Sequence, residues 1–155
     1  MKPFKAIGAV ALLCVACASA SGCAQQASAE TASAYSVKVG DCVNDGDKAG
    51  TVTTVTIVPC STSHDSEAFS SVELPRGSYP GATNIQTTAT KTCEADFETF
   101  AGIAYTETKL LDFSWYHPTA ASWKQGDRTI LCFIESTNSR REPIPTVGTL
   151  RNAQR

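Results

Sequence analysis

The sequence predicts an α+β domain: an antiparallel sheet of about five strands with one principal helix, stapled by two disulfides. Three observations predict it. Apolar residues recur with a period of two in several short runs, and with a helical period in one stretch only. Four cysteines remain once those of an N-terminal export signal are set aside, an even number that suits an oxidised domain.

The elements follow in chain order. Ser36-Val37-Lys38-Val39 alternates polar and apolar residues and stops at Gly40-Asp41, as a short strand ending in a turn does. Residues 44–50 are polar and turn-rich. Residues 51–58 are the strongest β run, with Val52, Val55, Ile57, Val58 and four threonines suited to a pleated surface, and Pro59-Cys60 closes it. A third strand spans 67–74, where Phe69, Val72 and Leu74 alternate loosely before the turn Pro75-Arg76-Gly77.

Between residues 87 and 103 the period changes. Ala89, Cys93, Phe97, Phe100 and Ala101 share one face of a helix, and Gly102 suits its C-terminal cap. Glu94, Asp96 and Glu98 fall on its solvated side. Residues 110–116 are strand-like and aromatic, Pro118 breaks the run, and 120–124 make at most one helical turn. After Gly126-Asp127, Ile130, Cys132 and Ile134 point one way and Leu131 and Phe133 the other; a strand apolar on both faces belongs in the middle of its sheet.

This geometry ranks the disulfides. Cys93 on the buried helix face and Cys132 on a central strand are placed to staple helix to sheet, while Cys42 and Cys60 lie just beyond strand ends. The expected pairs are therefore Cys42–Cys60 and Cys93–Cys132, with the crossed pairings as alternatives. Zinc ligation calls for close-spaced cysteine pairs, which these are not.

Lys2 and Lys5 followed by an uncharged apolar run over 6–20 read as an export signal, too short for a bilayer span of about 20 residues. Ala20-Ser21-Gly22-Cys23 resembles the bacterial lipobox, whose cysteine thiol receives a diacylglyceryl group; Ala20 stands where leucine is more common. The expectation is a lipoprotein signal peptide over 1–22 and Cys23 as the lipidated N-terminus, against an ordinary signal cut near Ala20. The lipid would hold the chain on the extracytoplasmic face of the cell membrane, and no other cofactor is expected. Residues 23–34 then form a flexible tether, 35–138 the domain, and 139–155, with Pro143, Pro145 and four arginines, a loose basic tail.

Within 35–138, Asp and Glu outnumber Lys and Arg roughly two to one, which argues against nucleic acid as a partner. Arg140, Arg141, Arg151 and Arg155 of the tail could meet anionic lipid or wall polymer, or simply water.

Several segments together carry a family resemblance: Val39-Gly40-Asp41-Cys42, then Val58-Pro59-Cys60-Ser61-Thr62-Ser63-His64-Asp65-Ser66-Glu67, then Tyr79-Pro80-Gly81, Cys93, and Pro118-Thr119-Ala120-Ala121-Ser122-Trp123 with Gly126-Asp127-Arg128 leading to Cys132. The pattern resembles the septum formation domain of exported and membrane proteins of actinobacteria, over about 37–135. Ser63 stands where that family often has proline. The resemblance implies a link to division or envelope processes and carries no catalytic residues with it.

His64-Asp65 with nearby serines suggests an acid–base pair, but adjacent residues rarely give a base both its nucleophile and its orienting acid. A histidine that fixes the loop after Cys60 is the simpler role. There is no phosphate-binding glycine loop and no H-E-x-x-H zinc motif. The best binding candidates are the aromatic residues Phe113, Trp115, Tyr116, His117 and Trp123, with His64, of which Phe113 and Trp115 alternate onto one face and suit packing beneath the helix. The expected function is a non-enzymatic, membrane-anchored module that binds an envelope protein or cell-wall polymer. The alternatives are a cell-wall hydrolase centred on His64 and Asp65 and a purely structural surface antigen.

Overall fold

The computed structural model describes residues 28–46 and 52–155. The signal peptide over 1–22, Cys23, the first part of the tether and most of the turn-rich stretch after Asn44 lie outside the described residues.

Among the described residues the sheet has seven strands rather than five: β1 (Glu30–Ser33), β2 (Cys42–Asn44), β3 (Thr54–Val58), β4 (Ser66–Glu73), β5 (Leu111–Tyr116), β6 (Thr129–Thr137) and β7 (Pro143–Ile144). Two helices accompany it, α1 (Ala82–Ala101) and the single-turn α2 (Ala120–Lys124). Every pairing is antiparallel, in the order β1-β3-β2-β4-β6-β5, with β7 on β6. The additional strands β1, β2 and β7 are only four, three and two residues long, too short to show a run of alternating apolar residues. At the predicted strand over 36–39 the chain instead makes a 3-10 turn over Ala34–Ser36, and Asp41 then folds back to accept the Lys38 amide at 2.8 Å.

The sheet buries both of its faces. Ile130, Cys132 and Ile134 of β6 pack with Phe69, Leu111 and the helix residues Ile85, Ala89, Cys93, Phe97 and Phe100. Leu131 and Phe133 of the same strand join Val43, Val55, Ala68, Ala34 and Val37 on the opposite face. The two-faced β6 thus lies between β4 and β5, as its composition predicts. Phe69 is the extra residue at a register shift between Ala68 and Ser70 in β4, so Ala68 joins one core while Phe69 and Ser70, which bonds Asp96 of α1, both face the other.

Helix α1 begins five residues before the apolar stripe suggests. Thr87, Thr88, Thr90 and Thr92 depress helix propensity, yet each hydroxyl bonds the carbonyl four residues back at 2.8–3.0 Å, which satisfies it inside the helix. Gly102 ends the helix at φ 74°, a left-handed position that glycine adopts without strain. Asp96 is not merely solvated, because the Ser70 hydroxyl donates to it. The disulfides are Cys42–Cys60 and Cys93–Cys132, with Cα atoms 5.2 and 5.6 Å apart.

Two expectations at the chain ends are corrected. The tether is shorter than 23–34, because Glu30–Ser33 pairs with Thr54–Ile57. Residues 139–155 are no loose tail. Asn138 and Arg141 close a turn into β7, Thr146 exchanges backbone bonds with His64 at 2.9 and 3.0 Å, and Leu150 is 1% exposed in the helix-side core. Three of the four arginines are used within the fold. Arg141 forms an ion pair with Asp112 at 3.1 Å, Arg151 lies over the Phe100 ring, and Arg155 donates to Ser136 Oγ at 2.9 Å.

Candidate functional site: a groove beside β5

A groove of about 800 Å³ runs along the ends of β5 and β6 on the face away from α1. In an antiparallel pair, directly opposed residues share a face, so Ser114 and Tyr116 of β5 and Leu131 and Thr129 of β6 line it together. The segment 34–37 forms one wall with Tyr35 and Val37, and Val52 extends it. The other wall is the α2 loop, with His117, Thr119, Gln125, Asp127 and Arg128. Its floor is apolar and its rim polar, the usual make-up of a binding cleft.

The α2 wall is held rigidly. Thr119 caps α2 and exchanges bonds with Ser122 in a capping box. Ser122 donates to Asp127 at 2.8 Å, and Asp127 also accepts the Thr129 amide at 3.1 Å. Arg128 donates to the carbonyls of Trp123 and Asp127 and lays its guanidinium 3.7 Å over the Trp123 ring.

Of the sequence candidates, Trp115, Tyr116 and His117 reach the groove. Phe113 and Trp115 also pack against the helix-side core, as their alternation predicts. Trp123 does not belong to a binding surface: it is 6% exposed, its ring meets Tyr79, and its Nε1 donates to the Gly77 carbonyl at 3.0 Å. Trp123 ties the β4–α1 loop to α2, and Trp123→Ala is expected to cost about 3 kcal/mol in chemical unfolding.

His64 is fully buried and does not line the groove. Its Nδ1 lies 2.8 Å from the Thr62 carbonyl, and its backbone pairs with Thr146. It therefore fixes the loop after Cys60. Tyr35, Val37, Val52 and Gln125 also line the groove, and as residues from distant segments they leave no local pattern in the sequence. Cys42, Cys60 and Glu67 lie close enough to share a metal ion, but both sulfurs are in the disulfide.

Tyr116 has the groove's most perturbed ionisation. Burial raises its pKa above the ordinary tyrosine value, and the 2.5 Å hydrogen bond to Asp45 and the charges of Asp45 and Asp65 raise it further. A raised native pKa adds stability in full below the unfolded value of about 10, and that stability is lost as pH climbs beyond it. The wild-type melting temperature is expected to fall as pH rises above about 10, and Tyr116→Phe should flatten that fall. An unchanged alkaline slope in the variant would assign the effect to other groups.

These features define a small disulfide-stapled α+β domain that covers one face of a curled antiparallel sheet with a helix and leaves a groove on the other. The family model described as Septum formation matches residues 39–155, and the chain belongs to that family. No curated protein and no solved structure matches it. The match runs through 139–155, in accord with the packing of that segment. It also gives the His64–Glu67 stretch a physical role, since His64 pairs with Thr146 and Glu67 accepts the Leu150 amide at 2.7 Å. No helix among the described residues is long and apolar enough to cross a membrane.

Proposed function

We propose that the protein is an extracytoplasmic lipoprotein, anchored through lipid on Cys23, whose domain is a non-enzymatic module that binds an envelope protein or cell-wall polymer in septum-related processes. The observation that carries this reading is the groove: an open cleft walled by an internally bonded loop, with aromatic and polar side chains at its rim. The chemistry of the histidines supports binding over hydrolysis. His64 and His117 both have Nδ1 against a main-chain carbonyl, and neither bonds a hydroxyl or carboxylate side chain among the described residues. The hydrolase alternative would also need substrate to reach His64, which is fully buried. The lipobox-like Ala20-Ser21-Gly22-Cys23 supports the anchor.

The test fills the groove without touching the core. Ser114 is half-buried on β5 and lines the groove, so Ser114→Arg places a long side chain in it. Crosslinking of the lipidated protein in its own membranes is expected to capture a reproducible partner that Ser114→Arg loses at an unchanged melting temperature. Capture that survives the filled groove would move the binding surface elsewhere. Fatty-acid labelling that persists in Cys23→Ala would remove the anchor.

A further inference from the structure

An edge strand carries main-chain groups that no neighbouring strand takes, and β5 is one, with β6 on one side only. Two bonds fix which of its residues face outward. The Leu74 amide donates to the Arg128 carbonyl and the Thr137 amide to the Leu110 carbonyl, both at 2.8 Å. Main-chain bonds alternate from side to side along a strand. In this register residues 110, 112, 114 and 116 therefore bond β6, and Leu111, Phe113 and Trp115 turn their amides and carbonyls away from it.

The first half of that outer edge is sealed from within the chain. Thr108 Oγ1 accepts the Leu111 amide at 3.1 Å, Arg141 donates to the Leu111 carbonyl at 3.1 Å, and Asp112 accepts the Phe113 amide at 2.9 Å. The ion pair with Asp112 holds Arg141 in place. The sealing stops at Phe113. Its carbonyl and both main-chain groups of Trp115 have no partner among the described residues.

This open stretch borders the groove, which Ser114, Trp115 and Tyr116 line. Directly opposed residues of an antiparallel pair share a face, so a segment that exchanges both bonds with Trp115 projects the side chains opposite Ser114 and Tyr116 on the groove side. Along the groove the carboxylates of Glu73 and Asp127, with Asp45 on the Tyr116 hydroxyl, outnumber the Arg128 guanidinium, which already bonds two carbonyls and covers Trp123. Basic side chains suit that side better than acidic ones.

We propose that residues 113–115 accept an extended peptide segment of a partner protein as an added antiparallel strand, with lysine or arginine on the groove side. The proposal rests on the reading of the groove as a binding site and makes its occupant a polypeptide.

The probe is a short capped peptide of alternating valine and lysine, added to the full lipidated chain in detergent micelles while amide exchange is followed by NMR. At saturation the Trp115 amide is expected to exchange at least about tenfold more slowly, and the Phe113 amide, already bonded to Asp112, to change little. The same peptide with glutamate for lysine should bind about tenfold more weakly, and equal binding overturns the basic preference. Trp115→Pro and Trp115→Val both lose the indole, but only proline loses the amide, one that β6 does not use. The proline variant should bind the lysine peptide about tenfold more weakly than the valine variant. A Trp115 amide in the native sequence that the peptide leaves unprotected overturns strand addition, whether or not Trp115→Pro folds. Protection that grows with protein concentration in the absence of peptide assigns the edge to a second copy and overturns it as well. Partner crosslinking that Ser114→Arg abolishes while Trp115 stays unprotected keeps the groove as a site and rejects the added strand.

Discussion

Replacing Cys93 and Cys132 together by alanine is expected to lower the unfolding free energy by about 4 kcal/mol, against about 3 kcal/mol for the same change at Cys42 and Cys60. The difference comes from loop length, since the first bridge closes a sequence separation of 39 residues and the second one of 18. It also follows from what each bridge adds to contacts already made. Cys42 pairs with Val58 in the β2–β3 ladder, two residues from Cys60, so the sheet has already brought those ends together. Cys93 and Cys132 belong to different layers, helix and sheet, and both are fully buried between Phe97, Ile130 and Ile134. Urea unfolding of the two double variants measures both values. A larger loss at Cys42–Cys60 would show that loop entropy does not set the ranking. A small domain has about 5–15 kcal/mol in all, so the Cys93–Cys132 loss takes a large part of it.

The legible parts of the fold were those that local chemistry writes repeatedly. The alternation of Ile130 to Ile134 marked a central strand because burial on both faces leaves no polar residue in the run. The spacing of Ala89, Cys93 and Phe97 marked the helix, and with Cys132 it also selected the bridge between helix and sheet. The start of α1 is hidden because residues 82–86 hold one large apolar residue, Ile85, too few to show a helical period of their own. β1 was hidden because Glu30–Ser33 contributes main-chain bonds to the edge of the sheet and buries little.

The candidate site was half legible. Tyr116 and His117 stood out as aromatic and polar residues at a strand end, and the structure gives them to the groove. Trp123 stood out equally and is packing, because a tryptophan beside an arginine reads the same whether the pair faces water or closes over Gly77 and Tyr79. The groove's other wall comes from residues 34–37, far away in sequence, and only the closure of β1 on β3 brings it there.

Deleting residues 149–155 is expected to cost on the order of 5 kcal/mol, enough to leave a domain of ordinary stability largely unfolded. The segment's arginines suggest a loose basic tail, yet Leu150 is a fully buried large apolar residue within it. Losing a buried leucine costs about 3 kcal/mol with the cavity it leaves. The remainder comes from polar groups stranded by its removal. Glu67 is 3% exposed, and its carboxylate accepts the Leu150 amide at 2.7 Å and lies 2.8 Å from Thr149 Oγ1. Without them a largely buried acid loses its hydrogen-bond partners, at about 2 kcal/mol or more. The end of α1 loses its caps too, because the Asn152 and Gln154 amides donate to the Phe100 and Ala101 carbonyls at 2.8 and 3.0 Å. Leu150→Ala alone should reproduce about 3 kcal/mol of the effect with every backbone bond retained. A loose tail would give less than about 0.5 kcal/mol for either change, so thermal or urea unfolding of the two variants decides whether these residues belong to the domain.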